Sequence, residues 1–123
     1  MYKTIHTLAQ LQEYLNGKTQ VAFDLETDPL DQYRSEDKAA LDAHKSHIVG
    51  ISFSVAEGDG VYLPLAHRVG QNATDPEAIW EYLAKFFACI GIVKISTLPL
   101  TRRTFWIFVT YVLTFNRKIK IFL

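Results

Sequence analysis

Residues 21–31 read VAFDLETDPLD, and the fold of the chain turns on them. Val21, Phe23 and Leu25 alternate with Ala22, Asp24 and Glu26, the two-residue period of a strand with one buried face. Pro29 is placed to close the strand, and Asp28 and Asp31 beside it suit a turn. Asp24 and Glu26 therefore project from the same face, about 6 to 7 Å apart along the strand. Two like charges so placed repel. Either they stand in water as the solvated face of a strand near a turn, or a hard divalent cation removes the repulsion, as Mg²⁺ and Mn²⁺ do with oxygen ligands. The D-x-E spacing leaves both readings open.

Working outward, TLAQLQEYLN (7–16) predicts a short helix. Thr7 and Gln10 have capping-box spacing, Leu8, Leu11 and Leu15 share a face, and Gly17 ends it. SEDKAALDAHKSH (35–47) is a polar surface excursion with at most a turn of helix. Two strand-like runs, Ile48 to Val55 and Val61 to Leu65, flank the Gly-containing loop AEGDG and predict a hairpin. In that loop Glu57 and Asp59 serve the turn. TDPEAIWEYLAKFFACI (74–90) begins with a Thr or Asp cap and an early Pro76, and its Ile79, Leu83, Phe86 and Phe87 fall on one helix face. GIVKI (91–95) predicts a short strand. The expected fold class is α/β, with the first three strands an antiparallel meander and a helix crossing over to a parallel fourth.

The 123 residues suit one domain, and 13 basic against 13 acidic residues give a formal net charge of 0. No global basic field exists, so any nucleic-acid contact must be local. The single Cys89 excludes an internal disulfide framework and a cysteine-rich zinc site. Its apolar neighbours predict a buried, inert thiol. The N-terminus MYKTIHTLAQ lacks the basic and apolar regions of a signal peptide, and no run is long enough to span a bilayer, so a cytoplasmic setting is expected. His6, His44, His47 and His67 have no ligand-like spacing, and surface or satisfied-core roles are expected for them.

VAFDLETDPLD followed by IVGISFSVAEGDGVYLPLAH (48–67) resembles the 3'-5' exonuclease (proofreading) domain of bacterial DNA polymerase I, of the DnaQ-like, RNase H-like superfamily. The resemblance covers roughly residues 21–95. It implies an RNase H-like mixed sheet and two-metal hydrolysis of the 3'-terminal phosphodiester of single-stranded or frayed DNA, with Mg²⁺ or Mn²⁺ as cofactor. Carried over, Asp24 is the ligand that bridges two metals. Glu26 ligates one of them and contacts the terminal 3' hydroxyl. Thr27 and Leu30 lie against the 3'-terminal nucleotide.

The resemblance stops after the fourth strand. The family places an asparagine and an aspartate in the next helix, then a tyrosine or histidine and a final aspartate. Here GIVKI leads into STLPLTRRTFWIF, and no Asp or Glu follows Glu81. With two carboxylates, at most one weakly bound cation is expected in place of two. The expected organisation is a partial exonuclease domain over 1–95, truncated after its fourth strand. An unrelated apolar and basic tail over 96–123, of frameshift origin, is expected beyond it. Arg102, Arg103, Arg117, Lys118 and Lys120 interleave there with Phe105, Trp106, Tyr111 and Phe115, a mixture that also suits single-strand binding. Without the family's later elements, the sheet face carrying Phe23 and Leu25 is expected to lack cover. Two alternatives stand beside an inactive partial exonuclease: a non-catalytic nucleic-acid-binding or structural module, and a nuclease completed by an oligomeric partner.

Overall fold

Thr7 opens the first helix as its spacing predicts. In the computed structural model, which describes residues 1–42, 44–89 and 91–96, the Thr7 side chain accepts a hydrogen bond from the Gln10 N–H at 3.2 Å. The Gln10 side chain in turn accepts the N–H groups of His6 and Thr7, at 2.8 and 3.1 Å. This reciprocal cap satisfies donors that have no partner inside the helix. Helix α1 (Leu8–Leu15) comes next with Leu11 and Leu15 buried, and Gly17, at φ +69°, turns the chain toward the sheet.

Among the described residues five strands form one sheet in the order β1-β4-β3-β2-β5: β1 (Tyr2–Thr4), β2 (Gln20–Pro29), β3 (Ser46–Ser54), β4 (Gly60–Pro64) and β5 (Val93–Ser96). β2, β3 and β4 are the expected antiparallel meander. Helix α2 (Pro76–Ala88) crosses over to β5, which lies parallel to β2. The result is a mixed α/β sheet whose parallel and antiparallel pairings are consistent with a generic Rossmann- or RNase H-like topology. β1, which the sequence reading lacks, pairs in parallel with β4, so only β3 opposes the other described strands.

β2 ends at Pro29 as expected, and the polar excursion holds one 3₁₀ turn, Ala39–Leu41. β3 starts two residues earlier than expected, at Ser46, and a further 3₁₀ turn, Asp31–Tyr33, follows β2 directly. The readings made for 97–123, the basic and aromatic mixture included, fall outside the described residues.

The core fills the space between one sheet face and both helices. Val21, Phe23 and Leu25 of β2, Ile51 and Phe53 of β3, and Val61 and Leu63 of β4 meet Leu11, Leu15, Ile79, Leu83 and Phe86 in one buried cluster. Aromatic rings tie α2 to the sheet, Phe23 to Phe87 at 5.1 Å and Phe53 to Phe86 at 6.1 Å between centroids, both edge to face. This corrects the expectation of an uncovered face around Phe23 and Leu25, which are only 3% and 9% exposed. The helices that cover them, α1 and α2, lie within residues 1–95. The opposite face, with Ala22, Asp24, Ser52 and Tyr62, is the one that borders an open groove. Cys89 is a second correction. It stands just past the last turn of α2 as its C-cap, off the buried stripe, and is exposed.

Among the described residues no helix is long and apolar enough to cross a membrane. Because Phe53 is 1% exposed and packs at the centre of the cluster, Phe53→Ala should cost about 3–5 kcal/mol of unfolding free energy. Thr7→Ala should cost about 1 kcal/mol through loss of its cap. Urea denaturation monitored by circular dichroism measures both, and a Phe53→Ala cost no larger than that of Thr7→Ala would contradict this packing.

Candidate functional site

Strand β2 brings Asp24 and Glu26 onto the open face, as the alternation requires. Asp24 faces Ser52 across the β2–β3 ladder, and Glu26 faces Gly50. Asp24 is half-buried, and its Oδ1 has no hydrogen-bond partner among the described residues. Glu26 is exposed. Leaving a buried carboxylate oxygen unmatched costs free energy comparable with a lost hydrogen bond, and more when the group is charged. A groove of about 460 Å³ borders Asp24, lined also by Thr4, Ser52, Ser54, Gly60 and Tyr62.

Immediately after Glu26 the ladder slips. Glu26 pairs with Gly50 but Thr27 pairs with Ile48, so Val49 has no counterpart on β2. Such a bulge kinks the strand and re-aims the residues beyond it. The Val49 carbonyl accepts the N–H groups of Leu65 and Ala66 instead, at 2.8 and 3.0 Å, which anchors the exit from β4. Thr27 and Leu30 lie past the slip. The Thr27 hydroxyl donates to the Ala40 carbonyl in the second 3₁₀ turn. The Leu30 N–H donates to the Lys45 carbonyl at 2.8 Å, and Leu30 stays half-buried at the start of the first turn. The structure thus brings Asp24 and Glu26 together, while the Thr27 hydroxyl is engaged elsewhere.

Asp28 and Asp31, read from sequence as turn residues, carry a small charge network. Arg34 reaches Asp28 at 3.0 Å and Asp31 at 3.1 Å, and Arg68 pairs with both from the loop after β4. The Arg34 hydrogen bond is the main cause that holds the Asp28 carboxyl below the usual carboxylate range, against the cost of its desolvation. Asp31 is lowered in the same sense, first by its Arg68 bond and then by Arg34. These carboxylates are neutralised by arginine and are poor candidates for cation ligands.

Sequence reading missed a third polar group beside the carboxylates. The Tyr62 hydroxyl is hydrogen-bonded to His67 Nε2. Asn72 clamps His67 from behind, accepting its backbone N–H at 2.8 Å and donating to its carbonyl at 2.9 Å. A Cβ built on Gly50 would overlap the Tyr62 hydroxyl and lie 2.9 Å from ring carbon Cε2, so the phenol occupies the space a side chain at position 50 would fill. Burial, and after it the negative charge of Glu26, pushes the Tyr62 phenol above its ordinary value. The only signal in the sequence was a tyrosine and a histidine five residues apart, which means nothing until register sets them against Glu26.

Does the donor set fit Mg²⁺ or Mn²⁺? Asp24, with one oxygen lacking a partner among the described residues, and Glu26 beside it suit one hard cation whose remaining ligands are water. They do not supply a second site. Among the described residues, no group of three or more His, Cys, Asp and Glu side chains is placed to hold a metal ion. No family model matches the sequence, and no curated protein matches it significantly.

A carboxyl held below its ordinary value stabilises the fold above that value, and the contribution fades as pH falls through the lowered folded-state value. Asp28→Asn should therefore lower stability near neutral pH, and its difference from the parent should shrink as pH falls from the ordinary carboxylate range into more acidic solution. Denaturant midpoints measured across that range test this. A difference independent of pH would show that the Arg34 pairing is not the source.

Proposed function

We propose that this chain carries the first metal-binding segment of a 3'-5' exonuclease domain of the DNA polymerase I proofreading type, and that alone it does not catalyse. One observation carries the reading: Asp24 and Glu26 stand side by side on the open face of an interior strand, and a buried Asp24 oxygen lacks a partner among the described residues. The α/β sheet, with its antiparallel meander and parallel crossover, is compatible with it.

In this reading Asp24 and Glu26 hold Mg²⁺ or Mn²⁺, and a frayed or single-stranded DNA 3' end is the substrate. A bound cation polarises a phosphate oxygen and lowers the pKa of a coordinated water. Asp24, recessed in the sheet face, supplies a fixed anchor. Glu26, exposed on a longer side chain, would be the second ligand and, by the resemblance, would contact the terminal 3' hydroxyl. Leu30 supplies an apolar contact for the terminal nucleotide at the end of β2. Thr27 lends its backbone there, because its hydroxyl is held by Ala40.

Two carboxylates offer few of the six oxygens that Mg²⁺ requires, so most of the shell stays water and affinity is weak. Hydrolysis by a two-metal route also needs a partner ion to align the attacking and leaving oxygens. Positioning and electrostatic stabilisation each supply several kcal/mol in such reactions, so losing both lowers the rate by many powers of ten.

The expected outcome is no metal-dependent release of mononucleotides from a 3'-labelled single strand with Mg²⁺ or Mn²⁺. Mn²⁺ should bind with a Kd of about 1 mM or weaker, and the Asp24→Ala, Glu26→Ala double variant should lose it. Release by the parent chain but not by the double variant would overturn the inactivity and point to carboxylates supplied across a subunit interface. Equal Mn²⁺ binding by parent and double variant would overturn the assignment of these residues as ligands.

A further inference from the structure

Gly50 faces Glu26 across the ladder, and the Tyr62 hydroxyl fills the place its missing side chain leaves. Directly opposed residues in an antiparallel pair have Cβ atoms about 4.5–5.5 Å apart. The phenol oxygen therefore stands where a side chain at position 50 would begin, within reach of the exposed Glu26 side chain. Tyr62 gets there by leaning along the sheet. Its own partner on β3 is Ser52, two residues from Gly50, so the ring crosses diagonally. His67 holds the hydroxyl end of that ring, and Asn72 fixes the His67 backbone by two hydrogen bonds.

This amounts to a built arrangement. A tyrosine on a sheet face commonly projects into solvent or over an apolar neighbour. Here a glycine makes room for it, a histidine fixes its hydroxyl, and an asparagine fixes the histidine. The polar tip lies beside a carboxylate that the ladder has already set on the open face.

We propose that Tyr62, backed by His67, is a positioning residue for Glu26. His67 donates its Nε2 hydrogen to the phenol oxygen, which leaves the phenol O–H to donate to the Glu26 carboxylate. That hydrogen bond holds the exposed Glu26 side chain over Gly50, facing the same side as Asp24. Burial is the main cause that raises the Tyr62 phenol, and the Glu26 charge, which disfavours the phenolate, adds to it in the same sense. The inference rests on the reading of Glu26 as the working carboxylate, but the link between Tyr62 and Glu26 exists without any metal and is measurable without one.

The test uses the full chain labelled with ¹³C at tyrosine Cζ, a carbon whose shift reports the hydrogen bonding of the phenol. Tyr62→Phe identifies the Tyr62 resonance by its disappearance and keeps the ring. In metal-free protein, Glu26→Gln and His67→Ala should each displace that resonance while those of Tyr2, Tyr14 and Tyr82 hold still. Thermal unfolding of Glu26→Gln should match the parent. Tyr62→Phe should then weaken Mn²⁺ binding by about fivefold, the effect of one hydrogen bond, with no further loss when combined with Glu26→Gln.

A Tyr62 resonance unmoved by Glu26→Gln overturns the inference, whatever Mn²⁺ does. A resonance that moves with Glu26→Gln supports the link, and if Mn²⁺ then binds parent and Asp24→Ala alike, only the metal reading falls. Should His67→Ala fail to fold, His67→Gln keeps a donor of similar reach and should restore the parent shift in part.

Discussion

The two-residue period of β2 is the constraint on which both core and candidate site depend. A strand cannot place neighbouring residues on one face, so a single alternation sends Val21, Phe23 and Leu25 under the helices and Asp24 and Glu26 to the other side. A slip of one residue would exchange the two sets, burying the carboxylates beneath α2 and exposing the aromatic core. The register is therefore fixed by the hydrophobic side, and the acidic side is positioned as a consequence. Phe23 and Phe53, cross-strand partners that meet α2 through Phe87 and Phe86, set the register from one face. On the other face, Asp24 comes to lie opposite Ser52 and Glu26 opposite Gly50.

The bulge after Glu26 marks where that regular pattern ends. Up to Glu26 the strand keeps simple alternation, and beyond it Thr27, Asp28 and Pro29 pair in a shifted frame. The shift gives the Val49 carbonyl to the chain leaving β4. It thus helps aim the loop that carries His67 back toward the sheet, where His67 meets Tyr62. At the far end of β2, Asp28 and Asp31 are matched by Arg34 and Arg68, so the acidity of VAFDLETDPLD is not one uniform field. Two of its carboxylates are neutralised by arginine. The two nearer the N-terminal end of the strand, Asp24 and Glu26, take no part in these ion pairs.

Much of this was legible in the sequence because its causes are local. The Thr7–Gln10 cap, the Asp75 start of α2, the hairpin loop and the alternation of β2 each depend on residues a few positions apart. The features that escaped depend on residues far apart in sequence. β1 is three exposed residues with no alternation of their own, and it becomes a strand only because β4 offers an edge. The Tyr62 hydroxyl has a role only once Gly50 is known to lie beneath it and Glu26 beside that. Cys89 read as buried because its neighbours are apolar, yet the helix ends one residue before it. The expectation of an uncovered Phe23 and Leu25 reversed the faces. α1 and α2 already cover the apolar side, and the open side is the acidic one.

The proposed function puts one cation, not two, on Asp24 and Glu26 at the open face of β2. Anomalous diffraction from a crystal soaked in Mn²⁺ tests this most directly. The account predicts a single partly occupied Mn²⁺ peak within ligand distance of the Asp24 and Glu26 carboxylates, with water filling the rest of its shell. Two fully occupied ions there, or Mn²⁺ held elsewhere with this pair bare, would contradict it.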